Sequence, residues 1–100
     1  MSYDPGALDA ALAAAVGDDP VLIVDLRHAF LESAQRQIAL LERARCDANW
    51  QIAAWRLKGL AASFGVVGLM SLSEEAGEGA PGDPVMLRKL KSAIAAFEMS

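Results

Sequence analysis

The residue types that most often carry chemistry are scarce in this chain of 100 residues. His28 is its single histidine and Cys46 its single cysteine. A zinc site normally takes several ligands from these two types, so the sequence predicts no metal site. A Cys–His or Ser–His nucleophile pair would have to use His28, for which no partner is evident. The segment from Gly77 to Gly82 lacks the Lys-Ser/Thr of a phosphate-binding loop, so we expect no enzyme and no cofactor.

The most informative side chain is a tryptophan, Trp55, on the predicted solvent side of a helix. On a helical wheel of about 100° per residue, four small or flexible side chains lie within about 60° of it. They are Gln51, Lys58, Gly59 and Ala62. Exposed tryptophan is uncommon and is enriched at binding hot spots, so this face is a candidate docking site. A glycine inside a helix costs about 1 kcal/mol relative to alanine, so Gly59 indicates close approach by another molecule.

Three Asp-Pro pairs predict where the helices that position this face begin. Aspartate before a helix accepts hydrogen bonds from free amides, and proline at the first position has no amide to leave unpaired. The pairs are Asp4-Pro5, Asp19-Pro20 and Asp83-Pro84. Short turns and a loop at Gly77–Gly82 separate the predicted helices, which are Pro5–Val16, Pro20–Arg45, Asp47–Gly65, a fourth that carries Val67, Leu69, Met70 and Leu72, and Pro84–Glu98.

Apolar stripes predict which side of each helix is buried. The first helix would bury Leu8, Ala11, Leu12 and Ala15. The second carries two stripes and should therefore pack on two sides: Ile23, Leu26, Phe30, Ala34, Leu41 and Ala44, with Val24, Leu31 and Ile38. The third would bury Trp50, Ala53, Leu57, Leu60 and Phe64. The last would turn its cations outward and bury Leu87, Leu90, Ile94 and Phe97.

Composition and charge limit the function classes further. With 20 alanines and no threonine, the chain favours helix over sheet, and its length suits one domain, residues 1–100. The net charge of −4 argues against nucleic acid or an anionic membrane as a partner. The longest apolar run, Ala10 to Val16, is far too short to span a bilayer, and no basic leader segment is evident. A single cysteine fits a reducing cytoplasm.

The segment from Ala53 to Gly65 resembles the signature of histidine phosphotransfer (Hpt) domains, roughly Ala-His-x-Leu-Lys-Gly-x-x-x-x-x-Gly. Further similarity lies upstream, where Phe30-Leu31-Glu32 resembles the opening of that family's long second helix. The residues that match the signature or the leucine pair after it are Ala54, Leu57, Lys58, Gly59, Gly65, Leu69 and Leu72. The resemblance implies an all-α, antiparallel four-helix bundle with a short extra N-terminal helix. It also implies a place in a phosphorelay, in which an exposed histidine carries a phosphoryl group between receiver-domain aspartates.

The sequence departs from that family at its central position, because Trp55 stands where the phosphorylated histidine is expected. An imidazole nitrogen has a free lone pair, whereas the indole nitrogen only donates, so Trp55 cannot carry phosphate. Lys58, which in the family neutralises phosphoryl charge, and Gly59, which leaves room for the receiver, are both kept. The resemblance therefore predicts a non-catalytic module that binds a receiver domain or a histidine kinase through Gln51, Trp55, Lys58, Gly59 and Ala62.

Several alternatives stay open at this stage. His28 would serve as a substitute phosphate acceptor in a competent relay protein, although no lysine follows it three residues on. The bundle would instead be structural if it self-associated as a homodimer through the Trp55 face, rather than remaining a monomer. The first helix or a chain terminus would cover Trp55 if that residue only filled the core. Trp55 would also be explained by decay or engineering of an ordinary relay protein.

Overall fold

The computed structural model describes residues 5–17 and 19–98, and for residues 5–9 and 11 it describes the backbone alone. The described residues form five α-helices and no strand, so the all-α prediction is confirmed for this part of the chain. The helices are α1 Pro5–Val16, α2 Pro20–Arg43, α3 Asp47–Ser63, α4 Val67–Gly77 and α5 Pro84–Glu98.

Two of the three predicted aspartate caps are present. Asp19 accepts hydrogen bonds at its Oδ1 atom from the amides of Val21 and Leu22, at 3.1 and 3.2 Å. Asp83 does the same for the amides of Val85 and Met86, at 3.0 and 3.4 Å. These bonds satisfy amides that have no partner inside the helix, which explains why α2 and α5 begin where they do. The third predicted cap, Asp4, lies outside the described residues.

Two helices end about two residues earlier than predicted. α2 stops before Ala44, whose backbone is extended with φ −64° and ψ 131°. α3 stops at Ser63, and Gly65 follows it with a positive φ of 70°. There the amide of Val66 donates back to the carbonyl of Ala61 at 2.9 Å, which closes the last turn. Glycine adopts this left-handed conformation without a steric penalty, so Gly65 marks the helix end.

The core is organised around three phenylalanines from different parts of the chain. The ring of Phe30 on α2 lies 5.0 Å from Phe64, just after α3, and 5.9 Å edge-on from Phe97 on α5. Around this cluster α2 contacts α1, α3 and α5, while α4 contacts α3 and α5. The four helices α2 to α5 thus form a closed ring of neighbours around one apolar core.

Most of the residues predicted to face the core are buried, but the predicted stripes on α1, α2 and α5 were each wrong in part. Val24 is 52% exposed, whereas Ile38 from the same stripe is buried. Seven residues of an ideal helix fall about 20° short of two full turns. Side chains spaced seven residues apart therefore rotate gradually around α2, from the solvent side towards the core. On α5 Met86 is buried and Leu87 only half-buried, because the buried arc centres on Leu90 and Phe97.

The buried side of α1 was also predicted only in part. Leu12 is buried as expected, while Ala15 is exposed. The predicted inward side chains of Leu8 and Ala11 lie outside the description. Within residues 5–17 and 19–98, no helix has both the length and the apolar content needed to cross a bilayer.

Candidate functional site

The orientation of α3 is set by its buried side. Trp50, Ala53, Ala54, Leu57 and Ala61 are all buried against neighbouring helices. The indole of Trp50 donates its Nε1 hydrogen to the carbonyl oxygen of Ala76 on α4, at 2.6 Å. This buried bond ties α3 to α4, so the remaining face of α3 points to solvent in one defined direction.

Trp55 occupies the centre of that face. Its side chain is 65% exposed, the largest exposed aromatic surface among the described residues. α1 packs on α2 and leaves Trp55 open, so the alternative in which the first helix buries this indole is not what the described residues show. An indole of this exposure has apolar area available for burial against another molecule.

Lys58 is held beside Trp55 by two interactions. Its ammonium nitrogen lies 5.0 Å from the centroid of the Trp55 ring, a cation–π distance. The same nitrogen lies 2.5 Å from the Oε1 atom of Glu74 on α4. The positive charge beside Trp55 is therefore already matched by a carboxylate of this protein.

Gly59 has no side chain and Ala62 only a methyl group, so few atoms project from the surface next to Trp55. A Cβ atom built on Gly59 meets no atom within 4 Å, so internal packing does not require glycine here. Ala62 and Gln51 are exposed on the same face. All five predicted site residues therefore lie on one side of α3, with Lys58 half-buried and the other four exposed.

A groove of about 400 Å³ runs beside Trp55 between α3 and α4, and we call it the α4-side groove. Its lining combines polar and small residues from both helices: Gln51, Ala54, Trp55, Lys58, Ser73, Glu74, Gly77 and Glu78. Ser73 at its base is buried and donates its hydroxyl to the carbonyl of Leu69 at 2.8 Å. This groove contains two carboxylates, Glu74 and Glu78, and one ammonium, Lys58, so this flank of Trp55 carries net negative charge.

Sequence reasoning missed the other flank of Trp55. Ile52 is 49% exposed and lies beside a second groove of about 400 Å³ between α2 and α3, the α2-side groove. That groove is lined by Leu40, Arg43, Ala44, Asn49, Ile52, Ala53 and Arg56. A signal for Ile52 existed, since it falls about 60° from Trp55 on the helical wheel. Glu74 had no such signal, because only the packing of α4 on α3 brings it to Lys58.

His28 and Cys46 do not join this site. His28 is exposed on α2 and lines neither groove, and Cys46 is an exposed free thiol just before α3. In the described part of the chain, no three His, Cys, Asp or Glu side chains are grouped so as to hold a metal ion. The site therefore offers an apolar anchor between two grooves of unlike charge, a chemistry suited to binding.

No known protein family, curated protein or solved structure matches this chain.

Proposed function

We propose that this protein is a pseudo-phosphotransfer module, which binds a receiver domain or a histidine kinase of a phosphorelay without carrying phosphate. Trp55 would enter the region of the partner that a phosphorylated histidine otherwise approaches. The observation that carries the proposal is the 65% exposure of Trp55 at the position equivalent, by sequence resemblance, to that histidine. The protein would act in the cytoplasm, where a single reduced cysteine is expected.

The arrangement of helices supports the finer description of the fold that this proposal requires. α2 to α5 each contact two neighbours in a closed ring, and α1 is an additional helix on α2. This connectivity is what an antiparallel four-helix bundle with an extra N-terminal helix would have. We therefore include the Hpt-like bundle in the proposal.

The surroundings of Lys58 support a role in binding over phosphate transfer. A lysine that neutralises a phosphoryl group must have its charge available when the group arrives. Here the Lys58 ammonium is 2.5 Å from the Glu74 carboxylate, and a phosphoryl group would have to displace that carboxylate. The same ammonium lies 5.0 Å from the centroid of the Trp55 ring, so Lys58 contributes a cation–π contact to the docking face.

The proposal predicts that Trp55→Ala strongly weakens binding to a receiver domain or kinase. Titration calorimetry against the receiver domains and histidine kinases of the same organism should find a partner with micromolar affinity. Truncating a central aromatic anchor costs about 2 kcal/mol or more, so the dissociation constant should rise about thirtyfold or more. Val85→Ala, which truncates an exposed apolar side chain on α5, is the matched control and should leave binding unchanged.

Two results would contradict the proposal. If none of these receivers or kinases binds the wild-type protein, the signalling role is wrong. If incubation with a phosphorylated receiver transfers acid-labile phosphate to this protein, and His28→Ala abolishes that transfer, the protein is a competent carrier that uses His28.

A further inference from the structure

The α2-side groove is an apolar depression with arginines along it. Leu40 and Ile52 are exposed side chains of this groove, while Ala44 and Ala53 form its buried floor. Leu40 and Arg43 come from α2, and Ile52 and Arg56 come from α3. Exposed apolar side chains that flank a groove are an energetic cost in water, and burial by a partner would remove it.

The charges in this groove are unmatched within the described structure. Ion pairs in the described structure include Lys58–Glu74, Lys89–Glu75 and Lys91–Glu42, and neither groove arginine belongs to any of them. Arg43 donates from Nε to its own helix, at the carbonyl of Ala39, and Arg56 has no carboxylate of the described side chains within ion-pair distance. Two arginines without an ion pair among the described side chains therefore share one groove of a chain whose net charge is −4. They contrast with the other flank of Trp55, where Glu74 and Glu78 outnumber Lys58.

We infer that the α2-side groove binds the carboxylate-bearing rim of the same partner protein that docks on Trp55. Arg43 and Arg56 would face its acidic side chains, and Leu40 and Ile52 would face its apolar side chains. The inference rests on the proposed function and extends it, because it states the partner's chemistry and fixes its orientation. A partner that set its acidic side against Glu74 and Glu78 would meet like charge, so only one of the two orientations about Trp55 is favoured.

A second copy of this chain, paired antiparallel through α3, fits the surface less well. In an antiparallel pair of α3 helices related by a two-fold axis, Trp55 would lie over Gly59 of the second copy. That axis also places the α2-side groove against its own equivalent, arginine facing arginine, and the glutamate flank against the glutamate flank. Such like-charge juxtapositions oppose association in this antiparallel arrangement.

Charge reversal tests the inference with matched variants. Arg56→Glu and Arg88→Glu each change the net charge by the same amount, and Arg88 is exposed on α5, outside both grooves. Against the partner that wild type binds, Arg56→Glu should weaken affinity about tenfold or more, whereas Arg88→Glu should change it less than about threefold. Arg43→Glu should behave like Arg56→Glu. Near-ultraviolet circular dichroism of the buried Trp50 confirms that each variant is folded.

The ionic-strength dependence is a second measurement. Raising the salt concentration shortens the Debye length from about 30 Å at 0.01 M to about 8 Å at 0.15 M. Wild type should lose affinity over this range, and Arg56→Glu should lose much less, because its attractive charge contact is already gone.

The possible outcomes separate this inference from the proposed function. If wild type binds a partner and Trp55→Ala weakens that binding as predicted, but Arg56→Glu matches Arg88→Glu, the docking role holds and the α2-side inference is wrong. If wild type binds none of these partners, the proposed function itself fails. If sedimentation instead shows dimers that dissociate in both Trp55→Ala and Arg56→Glu, the occupant is a second copy and the inference is overturned.

Discussion

At the scale of single residues, two tryptophans on one helix have opposite environments. Trp50 is fully buried and bonded through its indole N–H to the Ala76 carbonyl, whereas Trp55 is 65% exposed beside Lys58. Five positions along a helix rotate a side chain by about 140°, which accounts for much of this difference. The first tryptophan stabilises the fold, and the second is the part of the surface most suited to partner binding.

Gly59→Ala separates stability from binding at this scale. Alanine is favoured over glycine by about 1 kcal/mol within a helix, and a Cβ at this position meets no atom within 4 Å. Urea denaturation should therefore show a free energy of unfolding about 0.5–1 kcal/mol higher than wild type.

The same variant should bind its partner more weakly, because the added methyl group occupies the low surface beside Trp55. Calorimetry on the identical sample measures this effect. An alanine variant that is more stable and binds as well as wild type would show that nothing approaches closely at Gly59.

At the scale of elements, local capping determines where α2 and α5 begin. Asp83 Oδ1 accepts from two amides of the first turn of α5, and Asp19 makes the equivalent pair at α2. α3 differs, since Cys46 precedes it and makes no side-chain cap bond. The position of α3 therefore depends more on tertiary packing, including the Trp50–Ala76 bond, than on its own N-terminus.

Asp83→Ala tests the contribution of one cap. Removing the carboxylate leaves two first-turn amides without their side-chain acceptor, so the free energy of unfolding should fall by about 0.5–2 kcal/mol. Asp83→Asn keeps an acceptor oxygen and should cost much less. Equal losses in the two variants, measured by urea denaturation, would mean that the cap bonds are not what stabilises the start of α5.

At the scale of the whole molecule, the phenylalanine cluster joins distant parts of the chain. Phe30 contacts both Phe64 and Phe97, so one side chain connects α2 with the end of α3 and with α5. The charges are also organised at this scale, with arginines on the α2 side of α3 and glutamates on its α4 side. The core fixes the ring of helices, and the ring sets the two grooves on either side of Trp55.

Phe30→Ala should be severely destabilising. Replacing a fully buried phenylalanine by alanine costs about 3–5 kcal/mol, a large part of the stability of a small domain. The midpoint of thermal unfolding, followed by circular dichroism at helical wavelengths, should fall sharply. Val21→Ala changes an exposed side chain on α2 and should alter stability by about 0.5 kcal/mol or less. Similar losses in both variants would contradict the central role of the cluster.

The sequence by itself determined the features that depend on neighbours along the chain. The helical class, the starts of α2 and α5, and the face of α3 that carries Trp55 all follow from capping residues and helical spacing, which act within a few residues. Only the tertiary structure decided three other features, which are the Lys58–Glu74 ion pair, the Trp50–Ala76 hydrogen bond and the α2-side groove. Each joins residues from different helices, and their distances depend on how those helices rotate and pack, which no local pattern specifies.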